Sequence, residues 1–437
     1  MWFHRRALGL LLVAAAVSGC SDDPAPENAS PTTTVAAAEA SPATTTTTVT
    51  AAPAPNQRPA VAAETLATLD GRLLVVNAEG QVELLDPTGT TRITLDPAND
   101  ALLSQPAWAP AGDRVSWPAI TAAGPAVRIH DLATEATTDI PTSTPAFYHS
   151  WNATGDELAT LRSAGGPIQL DVHRASTGTT QEVALGQPFY LDWADAGVEA
   201  VLAVNGSSVA RVDLAEGTGT DLQLPAPIGV FQSPSVLADG SFLIPLAAAN
   251  GFELVQVAPD DTLRRIARFD GAIAMATSPD SMRVAVLVGR DPSQPRLEQA
   301  SFQTLAELPS GLVSIVDLDA GTVDTLPHRD VVALNWSPDS EVLATLQIDP
   351  IGARWLYTRG GTTTAGPDHT PTPTMRDQYL PFADQYNQSH RWWSPDSRAF
   401  VFAGSIAGVP GVWVDVVDDD AEPAKIADGS IAFWSPS

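Results

Sequence analysis

At 437 residues, 44% apolar and 17% charged, the chain has material for a large core, and its length suits either one repeat architecture or several ordinary domains. Its 51 acidic residues against 23 basic ones give a formal charge of −28, and Lys425 is the single lysine. That balance argues against a nucleic-acid-binding surface or an anionic-lipid-binding surface, because both would repel it.

The chain opens MWFHRRALGLLLVAAAVSGC, with His4, Arg5 and Arg6 as a basic region and Ala7 to Val17 as an apolar one. This is the pattern of an export signal, and the apolar run is short of the ~20 residues a spanning helix needs. Cys20, the only cysteine, follows Val17-Ser18-Gly19. An exported chain with one cysteine has no intramolecular disulfide to make with it. Residues 1–19 are therefore expected to be a lipoprotein signal peptide and Cys20 the lipidated residue that holds the protein on the outer face of the cell membrane. Residues 20–63 are rich in Pro, Ala and Thr and include the run Thr44 to Thr48, a composition expected to give a disordered tether.

From residue 64 to 437, short β-branched and apolar runs alternate with Gly, Asp, Pro and Thr turns, the all-β pattern. Six of the eleven tryptophans open one element: AWAPAG at Trp108, SWNATG at Trp151, DWADAG at Trp193, NWSPDS at Trp336, WWSPDS at Trp393 and FWSPS at Trp434. Val236 (VLADG) and Thr277 (TSPDS) open two degenerate copies. The spacings along this register are 43, 42, 43, 41, 59, 57 and 41, one period near 42 with two enlarged units. Each unit reads as four short strands joined by turns, a four-stranded antiparallel blade that must stack on its neighbours to bury both faces.

The W-S-P-D-S element followed by an apolar strand resembles the WD40-like repeat of TolB-type propellers, found also in the propeller domains of prolyl oligopeptidases. The resemblance covers residues 65 to 437 and implies a β-propeller that works as a binding or scaffolding module. Eight units in register predict eight blades. RLLVVNA, VELLDP and TRITLD supply the outer strands of the first blade, and the terminal SIAFWSPS supplies its innermost strand, so that the N- and C-terminal segments pair and close the ring. Leu66 to Gly71 competes for the same innermost position.

The motif tryptophans are expected to pack between blades with the indole N–H on a carbonyl. Pro and Asp of SPDS preset the turn, and the serine that closes it, where glycine is common in the family, is expected to keep a negative φ. No G-x-S-x-G elbow, H-E-x-x-H, Cys/His zinc pattern or EF-hand loop is present, so no catalytic residue, metal or cofactor is indicated. His130, His149, His173, His328, His369 and His390 are scattered and read as turn or surface residues, and Asp418, Asp419 and Asp420 as a solvated hairpin.

The enlarged units place Arg290 to Gly311 between the second and third strands of the sixth blade, and Gly361 to Gln388 between the seventh blade and the next. Strand alternation puts both on one face, as a candidate lobe over the channel mouth. Met375, Arg376, Tyr379, Phe382 and Tyr386, with His390, Arg391 and Trp392 after them, form the candidate binding surface, because aromatic residues and arginine dominate binding hot spots. The expected function is a monomeric, non-enzymatic lipoprotein propeller whose partner is an envelope protein, peptide or glycan. The alternative is a propeller hydrolase or lyase with its site at the channel mouth.

Overall fold

The computed structural model describes residues 59–95, 105–186, 189–194, 199–204, 208–214, 216–229, 233–289, 305, 308, 310–349 and 352–437. The expected signal peptide, Cys20 and nearly all of the tether lie outside the described residues, as does most of the expected insertion Arg290 to Gly311.

Eight four-stranded antiparallel sheets make the propeller. Seven are built from consecutive strands, and blade 1 joins Arg92–Thr94, Val82–Leu85 and Leu73–Asn77 to the C-terminal Gly429–Trp434. Leu73 pairs with Trp434 and Val76 with Ile431, antiparallel. The competing Leu66 to Gly71 forms no strand: Ala63–Leu66 is a short helix. The C-terminal strand closes the ring and completes blade 1 as its innermost strand.

Burial follows strand position. The second strands Glu157–Ser163 and Val342–Ile348 are buried along nearly their whole length, since each is covered by both neighbouring blades. The outermost strands Arg92–Thr94, Val323–Thr325 and Thr362–Ala365 are exposed at every residue. Their threonines suit a pleated strand that faces water. Between blades 5 and 6 the core is formed by Leu243, Leu254, Ile273, Met275, Val284 and Val286, each fully buried aliphatic contributing about 2 kcal/mol of burial free energy.

Five of the six motif tryptophans lock their blade to the one before it, whereas Trp434 Nε1 finds no hydrogen-bond partner among the described residues. Trp336 Nε1 donates to the Ala276 carbonyl at 2.9 Å, Trp193 to Ser150 at 3.3 Å, Trp108 to Phe433 at 3.4 Å and Trp393 to Asn335 at 3.5 Å, while Trp151 donates to the Ser116 hydroxyl at 2.9 Å. Blades 5 and 6 lack the indole, and there the Ser235 and Thr277 hydroxyls bond to each other at 2.7 Å.

The SPDS turn differs from expectation at its last serine. Ser281, Ser340 and Ser397 have φ of 58°, 64° and 61°, in the left-handed region that Gly112, Gly155 and Gly240 occupy in other blades. What offsets the strain is a hydrogen bond glycine cannot make. The hydroxyls of Ser281, Ser340 and Ser397 accept from the backbone N–H of Ala238, Asp280 and Asp339 respectively, each at 3.0 Å and each on the preceding blade.

Candidate functional site: a plugged channel with one open vestibule

The enlargement before Trp393 is placed differently from the sequence expectation. Thr362–Ala365 is the fourth strand of blade 7 and Thr370–Pro371 already belongs to blade 8, pairing with Ser405 and Gly404. Trp393 resumes the same innermost position opposite Phe400. The inserted residues thus interrupt the innermost strand of blade 8 instead of forming a loop between blades. Starting at the channel wall, they fold into it.

They form three short helical turns, Met375–Tyr379, Leu380–Phe382 and Ala383–Tyr386. Their contacts reach around the ring. Gln385 Nε2 donates to the Tyr148 hydroxyl at 2.9 Å in blade 3 and to the Leu191 carbonyl at 3.0 Å in blade 4. Gln388 Nε2 donates to the Pro234 carbonyl at 2.6 Å, and Asn387 Nδ2 to the Leu334 carbonyl. The Thr372 hydroxyl donates to Ser430 at 2.6 Å in blade 1. Tyr379 and Tyr386 stack with centroids 4.8 Å apart, and Tyr386 also packs on Tyr148 at 5.4 Å. The segment is a plug fixed to five blades besides its own.

All eight residues of the expected binding surface belong to this segment or the stretch that follows it. Met375, Tyr379, Tyr386, His390 and Trp392 are buried, Arg376 and Phe382 are half-buried, and Arg391 is exposed. Trp392 Nε1 donates to the Tyr379 hydroxyl at 2.8 Å, and Arg376 pairs with Asp377 at 2.6 Å. Burial pushes the Tyr379 hydroxyl well above its usual pKa.

The six histidines are also buried rather than on the surface. Threonines explain several of them: His173 bonds Thr160 at 2.8 Å and Thr180 at 2.9 Å, His130 bonds Thr137 at 2.9 Å, and His328 bonds Thr345 at 3.1 Å. His149 and His390 meet under the plug with ring centroids 6.4 Å apart. Among the described residues His149 Nδ1 and His390 Nε2 have no hydrogen-bond partner. Burial lowers their pKa values to about 4 and about 3 respectively, so both rings are neutral at pH 7. Asp418, Asp419 and Asp420 are exposed in the hairpin between the last two strands of blade 8, as expected. Among the described residues no group of three or more His, Cys, Asp or Glu side chains could hold a metal ion.

Beyond the plug the channel stays open on the face that carries the SPDS turns, as a vestibule of about 340 Å³. Its floor is Asp384, Asn387, Gln388, Ser389 and Arg391; its wall includes Trp108, Trp151, Asp192, Asn335 and Trp336. Arg72, Arg114 and Arg283 lie over the rings of Trp108, Trp151 and Trp336 at 5.7, 5.6 and 5.0 Å. Asp192 is engaged, accepting from the Val236 N–H at 2.7 Å. Arg391 has no side-chain hydrogen bond or ion pair with any described residue, and desolvation by the surrounding protein lowers its pKa. The sequence puts Arg391 in the candidate binding surface just after the inserted segment, and in the structure it lines the vestibule.

No family model matches the sequence, and no curated protein matches it. Among solved structures the chain is similar to the dihydro-haem d1 dehydrogenase NirN in complex with DHE, at 14% identity, over 88% of this chain and 83% of that one, with a TM-score of 0.55. It is also similar to TolB from Acinetobacter baumannii, at 12% identity over 82% and 79% with a TM-score of 0.38. A third likeness is to the propeller domain of the Trilobed protease from Pyrococcus furiosus, at 12% identity over 76% and 99% with a TM-score of 0.47. Identities this low show the β-propeller fold alone.

Proposed function

We propose that the protein is an exported lipoprotein, anchored through Cys20, whose propeller is a binding module of the cell envelope with the vestibule as its recognition site. The observation that carries this reading is the plug. By closing the channel with hydrogen bonds to five blades it turns a through-passage into a rigid, single-ended pocket, and a preformed concave site with a few convergent polar groups is what ligand recognition uses. The aromatic wall offers contact area at low entropic cost.

A photo-crosslinking residue in place of Ala238, exposed at the vestibule rim, is the test, with the same residue in place of Gly408 on the remote Val409 hairpin as control. The reading expects in-cell adducts at position 238 that are absent at position 408, and Cys20→Ser should release the protein from the membrane fraction. Absence of adducts at 238 in cells where the protein is membrane-bound would overturn the binding assignment.

A further inference from the structure

A charge that breaks a repeat pattern calls for a reason outside the scaffold. Arg391 stands two residues before the motif tryptophan of its blade. The same position in the other seven units holds Ala432, Pro106, His149, Leu191, Pro234, Met275 and Leu334, all uncharged at neutral pH and all buried. Blade packing therefore favours a neutral side chain here. In blade 8 it is an arginine that turns into the vestibule and finds no protein partner among the described residues.

Its guanidinium is open to the vestibule, where water rather than a protein counter-ion solvates it and a ligand can displace that water. The overall charge of −28 makes an unpaired cation in a cleft still less a matter of composition. Among the described residues Arg391 is the sole arginine or lysine lining the vestibule, and the three arginines stacked on Trp108, Trp151 and Trp336 add positive potential near the same wall.

From this geometry we infer that Arg391 captures a carboxylate, so that the vestibule's ligand is a carboxylic acid of metabolite size or the carboxyl terminus of a peptide. The inference rests on the binding function proposed above and names its ligand chemistry. A planar guanidinium matches a carboxylate with two parallel hydrogen bonds. One such cation balances one negative charge. Asp192 and Asp384 line the same space and disfavour a doubly charged phosphate. A volume of about 340 Å³ is at the small end of ligand pockets, which suits a small acid or the last residues of a chain better than an extended polymer.

Calorimetric titration of the detergent-solubilised full-length protein tests this with paired probes: benzoate against benzamide, N-acetyl-trialanine against its C-terminal amide, and inorganic phosphate alone. At least one acid should bind saturably and at least tenfold more tightly than its amide. Arg391→Gln should remove that preference without lowering the melting temperature. Benzoate selectivity would mark a free acid as the ligand, and peptide selectivity a chain terminus. The inference is overturned by equal binding of acid and amide, by phosphate binding more tightly than either acid, by a preference that survives in Arg391→Gln, or by no saturation with either acid up to the order of 10 mM. Adducts at position 238 with no acid preference would refute the carboxylate assignment and leave the binding function standing.

Discussion

The side-chain amide of Gln385 donates a 2.9 Å hydrogen bond to the hydroxyl of Tyr148, a residue 237 positions earlier in the chain. The same nitrogen lies within reach of the Leu191 carbonyl and of Gln388 Oε1. One buried amide therefore ties the plug to blades 3 and 4 and to itself. Its partners are brought together by ring closure rather than by sequence proximity, so these contacts exist only where blades 3, 4 and 8 meet at the channel.

Replacing Gln385 with alanine should loosen the plug before it loosens the blades. It leaves the Tyr148 hydroxyl and the Leu191 carbonyl short of a donor in a dry site, a loss of about 1 to 3 kcal/mol. Hydrogen exchange is expected to rise across residues 375–390 while the second strands Glu157–Ser163 and Val342–Ile348 keep their protection. Uniform loss of protection would mean that the plug and the ring are one cooperative unit.

Ser340 separates two contributions that usually travel together. Its φ of 64° favours glycine, while its hydroxyl accepts from Asp280 N–H on blade 6. Ser340→Ala keeps the strain and loses the bond; Ser340→Gly loses the bond and relieves the strain. Alanine should destabilise more than glycine by about 1 kcal/mol. Denaturant unfolding of the two variants decides it, and equal losses would show that the left-handed backbone is not strained.

The blades were legible because the same demand recurs eight times: an indole or its substitute at positions such as Trp336 and Trp393 must reach the preceding blade, which fixes the period. The plug was not legible as a plug, because Tyr379, Tyr386 and Trp392 are as typical of a binding surface as of an interior. A discriminating signal did exist. Met375, Tyr379, Ala383, Tyr386 and His390 recur at helical spacing, and all five are buried. A helical apolar stripe inside an all-β repeat points inward. Arg391 could have been singled out by comparing positions across units, since its seven counterparts carry no charge at neutral pH. The positive φ of Ser281, Ser340 and Ser397 had a trace in the equivalent Gly112, Gly155 and Gly240 of other units, but the hydroxyl's acceptor role depends on the adjacent blade and leaves none.

Acidification should destabilise the protein through His149 and His390. Both rings are held neutral, with pKa values of about 4 and about 3 against 6.5 for an ordinary histidine. Below pH 6.5 the unfolded chain takes up protons that the folded chain refuses. The stability they contribute is whole above pH 6.5 and falls as pH drops toward about 4, by about 1.4 kcal/mol per pH unit for each ring. Urea unfolding at pH 7.5 and pH 5 measures this. His149→Gln should flatten the dependence by one proton's worth, and an unchanged slope would rule out this ring as a source.

Asp415 should show the opposite sign. Burial between blades 7 and 8 raises its pKa from 3.8 to about 6, helped by the charge of Glu422 and countered by the 2.9 Å bond it accepts from the Tyr357 hydroxyl. The folded chain keeps this proton up to about pH 6, whereas the unfolded chain gives it up near 4. The stability the proton confers is therefore present below about pH 4 and lost as pH rises through 6. Asp415→Asn removes the ionisation and retains an oxygen to accept from Tyr357. The variant should be more stable than the wild type at pH 7.5, by at most about 2 to 3 kcal/mol, and no more stable at pH 4. Thermal unfolding of both proteins at the two pH values reads the difference directly, and a gain of equal size at both would show that packing rather than charge governs this position.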